Sequence, residues 1–96
     1  MTSTLTTPVL KEKIGTLIFS KSQNYQSNDN HHRLEVNAHL GMLLGNNFHQ
    51  KVKIVFNTSN GLKEVETTIW ATTRENIILK GGAFIPKNSI QEIRLN

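Results

Sequence analysis

Between Lys51 and Leu95 the apolar residues recur with the two-residue period of strands buried on one face. In Lys51-Val52-Lys53-Ile54-Val55-Phe56, the residues Val52, Ile54 and Phe56 alternate with the two lysines, and Val55 is the exception. Asn60-Gly61 follows, a pair that tolerates the positive φ of a tight hairpin. The next stretch, Lys63 to Thr72, places Val65, Thr67, Ile69 and Ala71 on one face and is rich in β-branched residues, so it is expected to pair antiparallel with its predecessor. Thr73-Arg74-Glu75-Asn76 reads as a turn, and Ile77-Ile78-Leu79-Lys80 as a short third strand. Gly81-Gly82 supplies a reversal into Ala83-Phe84-Ile85. Pro86 ends that strand, and Pro86-Lys87-Asn88-Ser89 forms one helical turn before the last strand, Ile90 to Leu95. Five short strands in so few residues cannot make two well-packed sheets, so the expected solution is a small, strongly bent, partly closed barrel. Its expected core is Val52, Ile54, Phe56, Val65, Ile69, Ile77, Leu79, Phe84, Ile85, Ile90 and Ile93.

The first half of the chain has a different texture. Residues 1–30 are expected to be a flexible or weakly ordered segment, with Thr and Ser dominating Met1 to Pro8 and a polar stretch from Ser20 to Asn30 that contains Tyr25. Within it, Ile14, Leu17, Ile18 and Phe19 around Gly15 fit either a strand or an amphipathic turn. From His32 to Asn47 the period becomes helical. Val36, Leu40, Leu43 and Leu44 fall at i, i+4, i+7 and i+8, a stripe able to lie on an open barrel end. Asp29 or Asn30 can cap the start, Gly45-Asn46-Asn47 supplies a stop, and Phe48 is a hinge into the barrel. Gly41 inside the helix costs about 1 kcal/mol relative to alanine.

With 96 residues, the chain has room for one modest core, here assigned to 31–96, and not for a deep enclosed site. It has no cysteine, which removes disulfides, thiolate metal sites and a thiol nucleophile, and fits a cytoplasmic setting. The apolar run Ile14 to Phe19 is far short of a membrane span, so no membrane association is expected. The net charge is +4, and after Phe48 seven Lys/Arg stand against four acids. That surplus favours an anionic partner through its field but is not a dense basic stripe. Lysines scattered over strands and turns also serve as protection against edge-to-edge aggregation.

A short helix, Lys51 to Phe56, an Asn-Gly turn, a long second strand and Asn76 to Lys80 before a short reversal together resemble the layout of Sm-like proteins and other SH3-like small barrels, over roughly Leu34 to Leu95. The chain also resembles a group of short uncharacterised bacterial proteins that share the segment found here at Val65 to Ala71 and the Leu79 to Pro86 ending. The first resemblance implies a five-stranded SH3-like (Sm-like) barrel behind a short α-helix, mainly β in class. Sm-like RNA binders place an Arg-Gly or Lys-His element between the fourth and fifth strands, where this chain has Phe84 to Ser89, so the likeness is to the scaffold rather than to the binding site.

Candidate chemistry is sparse. RNA or single-stranded nucleic acid would be met by stacking on Trp70, Tyr25 or Phe84, with Lys51, Lys53, Lys80 and Lys87 near phosphates. Trp70 equally suits packing against the helix or an oligomer interface. His32, Glu35 and His39 fall on one helical face, but two turns separate the histidines and a fourth ligand is missing, so no metal or other cofactor is expected. No nucleophile elbow, phosphate-binding loop or paired carboxylates occur; Glu64 and Glu66 balance lysines across the hairpin, and no enzyme is expected. The sequence therefore points to a protein-interaction or self-assembly module using Val36, Leu40, Leu43 and Leu44, with a protein partner or second copy as occupant. The alternative is weak nucleic-acid binding on a basic barrel face.

Overall fold

The computed structural model describes residues 6–21 and 28–95, and the side chains of all of these except residues 11 and 28–31. The expectations for Met1 to Leu5, for Tyr25 and for the capping side chains of Asp29 and Asn30 lie outside what is described. The chain runs through β1 (Thr7–Pro8), a 3-10 turn (Lys11–Thr16), one helix α1 (Asn28–Phe48), β2 (Val52–Thr58), β3 (Gly61–Thr67), β4 (Ile69–Thr72), β5 (Asn76–Leu79), β6 (Phe84–Pro86), a second 3-10 turn (Lys87–Ser89) and β7 (Ile90–Leu95).

The strands form two sheets, ordered β1-β3-β2-β7 and β4-β5-β6. Only Thr68 separates β3 from β4, so one bent strand serves both sheets. Of the expected partly closed five-stranded barrel, the mainly β class and the preceding helix are present, while the strands lie in two sheets that do not close into a barrel. Closure fails because β6 pairs only with β5 and β7 only with β2. The turns behave as their residues require. Gly61, Gly81 and Gly82 all take positive φ, and the Thr58 hydroxyl ties the first hairpin by donating to the Gly61 carbonyl at 2.8 Å.

The inward faces of β2, β3 and β7 match in register, with Ile54 opposite both Val65 and Ile93. With Ile69, Ile77, Leu79, Ile85 and Ile90 they form the core. Phe84 departs from expectation: it is 51% exposed, because β6 turns its neighbour Ile85 inward instead. Two further elements add to the core. Ile14, 1% exposed, projects into the core from the first 3-10 turn. After that turn, Ser20 N–H donates to Asn57 O at 3.1 Å, Ser59 N–H donates to Ile18 O at 2.9 Å, and the Phe19 ring lies 5.7 Å from that of Phe56.

The second addition is α1. Its inward face is Leu34, Ala38, Gly41 and Gly45, not the stripe of larger residues. Leu34 and Ala38 meet Ile77, Ile90 and Ile93. A Cβ at Gly41 would lie 3.0 Å from Ile69 Cδ1, and one at Gly45 would lie 2.6 Å from the Ile69 carbonyl oxygen. Gly45 is thus an interior helix residue required for close approach, not the helix stop. The stop is His49, whose φ of 55° is left-handed and whose N–H donates to Gly45 O at 3.0 Å.

Two polar ties lock α1 to the last strand region. Asn37 Nδ2 donates to the Ile93 carbonyl at 3.2 Å, and Lys87 Nζ meets Glu35 Oε1 at 2.8 Å. The Lys87 side chain is 8% exposed and that of Glu35 36%, so the lysine is the buried member.

These contacts order the effects of substitution. Replacing glycine by alanine inside a helix ordinarily gains about 1 kcal/mol. At Gly45 the backbone oxygen of Ile69 blocks the methyl, so Gly45→Ala is expected to lower stability by about 1–3 kcal/mol. At Gly41 the obstacle is the movable end of a side chain, so Gly41→Ala is expected to stay within about 1 kcal/mol of the parent. Denaturant unfolding of both variants measures the difference. In the same assay Glu35→Ala, which strands the buried Lys87 ammonium, is expected to cost more than Lys87→Met, which leaves only a half-exposed carboxylate.

Candidate functional site

Two surfaces stand out, and both are consequences of how α1 is seated. The first is an open cleft of about 610 Å3 between the end of α1, residues 9–12 and the β3–β4 bend. Two irregular stretches of backbone border it. On one wall is the left-handed His49. On the other, Ile69 pairs with Leu79 and Ala71 with Ile78, so Trp70 is an extra residue at a bulge in β4. A bulge re-aims the side chain it carries, and Trp70 stands 49% exposed at the cleft. Bulges and left-handed non-glycine residues both cluster at functional positions.

The electrostatics of the cleft are mixed. Among the described side chains that line it, Lys51 and Lys80 are matched by Glu12 and Glu66. Lys51 and Glu66 each already have an interaction partner. Gly45, Asn46 and His49 bring the carbonyl end of α1 to the same place, and no basic residue in the last turn offsets that end's partial negative charge.

The second surface is the outer side of α1. Val36, Leu40 and Leu43 are 42%, 41% and 40% exposed, while Leu44 is half-buried and Phe48 projects into solvent. The expectation that this stripe covers a barrel end is therefore reversed: small residues face the sheets and the larger ones face out. From Val36 to Phe48 the chain contains no Asp, Glu, Lys or Arg. An exposed helix face normally carries charge. That charge-free run was the readable signal for an unusual surface, and spacing alone misses it.

The candidate nucleic-acid residues divide. Lys51, Trp70 and Lys80 share the cleft. Lys53 lies on the outer face of the first sheet, 3.5 Å from Glu64 Oε2. Lys87 is withdrawn from any surface role by burial and by Glu35. Glu35 is thereby also turned to structural use. His32 and His39 are exposed, and no cluster of three or more metal-ligating side chains occurs among the described residues. Among the described residues no helix is long and apolar enough to cross a membrane. Compared with protein-family models, curated proteins and solved structures, the chain matches none.

The Glu64 carboxyl is held below its ordinary value of 4.5, chiefly by the Thr6 hydroxyl, which donates to Oε1 at 2.5 Å; burial is the next largest effect and opposes the shift, and Lys53 and then Arg94 add smaller lowering contributions. A lowered folded-state pKa stabilises the protein at pH above 4.5, and that contribution is lost as pH falls below 4.5 through the folded value. Thr6→Val removes the largest cause. Urea unfolding is expected to show Thr6→Val less stable than the parent at neutral pH, with the gap narrowing once Glu64 is protonated; an equal gap at both pH values would contradict this linkage.

Proposed function

We propose that this protein is a non-enzymatic protein-interaction module that self-associates through the outer face of α1. The observation that carries the reading is the outer side of α1, where Val36, Leu40, Leu43 and Phe48 are exposed within a stretch, Val36 to Phe48, that contains no Asp, Glu, Lys or Arg. Val36, Leu40, Leu43 and Asn47 follow each other at steps of four, three and four, the spacing with which two helices interlock side chains. Such a seam is complementary to itself. It contains no charge to repel a second copy, although each copy carries a net +4. The seam is short compared with a standard protein interface, so a weak, concentration-dependent association is expected rather than a permanent one.

The scaffold under this helix is of the SH3-like kind in our reading. Its support is the chain of neighbours β7-β2-β3, continued through Thr68 into β4-β5-β6, which is the order of an open small barrel with one bent strand shared by both halves. Nucleic-acid binding has weaker support. Three of its five expected contacts meet in one cleft, but Lys53 and Lys87 have carboxylate partners, and two further carboxylates line that cleft.

Sedimentation velocity over a range of protein concentrations tests the proposal. The parent chain is expected to shift from monomer to dimer with rising concentration. Leu40→Glu, which alters an exposed position, is expected to stay monomeric with an unchanged melting temperature. A parent chain that remains monomeric at every concentration would sink the proposal.

A further inference from the structure

The cleft beside Trp70 has no role in helix-to-helix association, and its composition is specific enough to name an occupant. We propose that it binds a short extended peptide of mixed charge. One large apolar side chain of the peptide rests on the Trp70 indole. An acidic group lies towards Lys80, and a basic group lies towards Glu12 and the carbonyl end of α1.

The shape follows from the strand ladders. Along its edge away from β2, β3 is paired with β1 at Lys63 and Glu64, and Val9 N–H donates to Glu64 O at 2.8 Å. The next neighbour on the bent strand arrives at Thr68, whose carbonyl accepts from Lys80 N–H at 2.9 Å. Between Glu64 and Thr68 neither β1 nor β5 continues the ladder, and this interval borders the cleft. It spans about 13 Å of strand, which suits roughly four extended residues. A cleft of about 610 Å3 is within the usual size of a ligand site.

The chemistry selects a peptide over a polynucleotide. A phosphate chain needs a cationic groove. Among the described side chains lining the cleft, two lysines are matched by two glutamates, and the negative end of the α1 dipole faces the same space. A peptide can present both signs and an apolar group within four residues. Trp70 suits such a role because its rigid ring offers a large contact area at small entropic cost, and tryptophan is prominent among residues that dominate binding energies.

Trp70 is the single tryptophan of the chain, so its fluorescence reports on the cleft directly. The test is selection of random displayed octapeptides on the full chain, followed by fluorescence titration with the enriched peptides. The expected outcome is an enriched pattern of one aromatic or branched aliphatic residue flanked by opposite charges. These peptides should shift Trp70 emission and bind about tenfold or more weakly to Trp70→Ala and to Lys80→Glu. They should bind Leu40→Glu as they bind the parent, which separates this proposal from self-association through α1. Three outcomes would overturn it: no enriched pattern, enriched peptides that bind Trp70→Ala and Lys80→Glu as tightly as the parent, or Trp70 emission that responds to a short oligouridylate in a steeply salt-dependent way and to no peptide.

Discussion

The close approach of α1 to the strand bend at Ile69 is the constraint on which the other features depend. Two glycines make it: Gly45 lets the helix lie against the Ile69 backbone, and Gly41 lets it ride over the end of the same side chain. Ile69 is fully buried and begins β4, immediately after the residue where the bent strand passes from one sheet to the other. A helix carrying a side chain at Gly45 would stand farther off. The open space between two sheets that do not close would then lose its cover, because Leu34 and Ala38 reach Ile77, Ile90 and Ile93 only from a closely seated helix.

Seating the helix by its small residues has a second effect. The inward face is taken by Leu34, Ala38, Gly41 and Gly45, so Val36, Leu40 and Leu43 have no place inside. Apolar residues of that size on a solvent-facing helix lower stability only slightly, and a contiguous group of them without charge is the feature on which the proposed self-association rests. The same seating brings the C-terminal end of α1, with its left-handed His49, to the bulge that carries Trp70. One packing arrangement therefore produces both an uncharged helix face and a mixed-charge cleft.

The strand half was legible because its signals are local. Alternation located β2, and the glycine and proline positions located the reversals; ten of the eleven residues expected in the core are buried, Phe84 alone being turned outward. The helix was legible as a helix but not in its orientation. Spacing pairs Val36 with Leu40 and Leu43 as readily as it pairs Leu34 with Ala38, Gly41 and Gly45, and a habit of assigning the larger side chains to the core chooses wrongly when backbone approach is the limiting factor. Ile14 was invisible for another reason: its burial depends on β3 and β6, neither of which is near it in sequence. In the cleft, Trp70 could be singled out by residue type, whereas the bulge that exposes it depends on cross-strand register and leaves no mark in the sequence. The burial of Lys87 was equally hidden, since its partner Glu35 lies on a distant element.

The central claim is that α1 presents Leu34, Ala38, Gly41 and Gly45 inward and Val36, Leu40 and Leu43 outward, and the absence of cysteine from the chain permits a clean measurement. Single cysteines placed by Leu34→Cys, Ala38→Cys, Leu40→Cys and Leu43→Cys can be timed for reaction with a thiol reagent in dilute, folded protein. The account predicts rapid modification at the positions of Leu40 and Leu43, slow modification at those of Leu34 and Ala38, and slowing at the former pair as protein concentration rises. Rapid modification at Ala38 together with protection at Leu40 in dilute solution would contradict it.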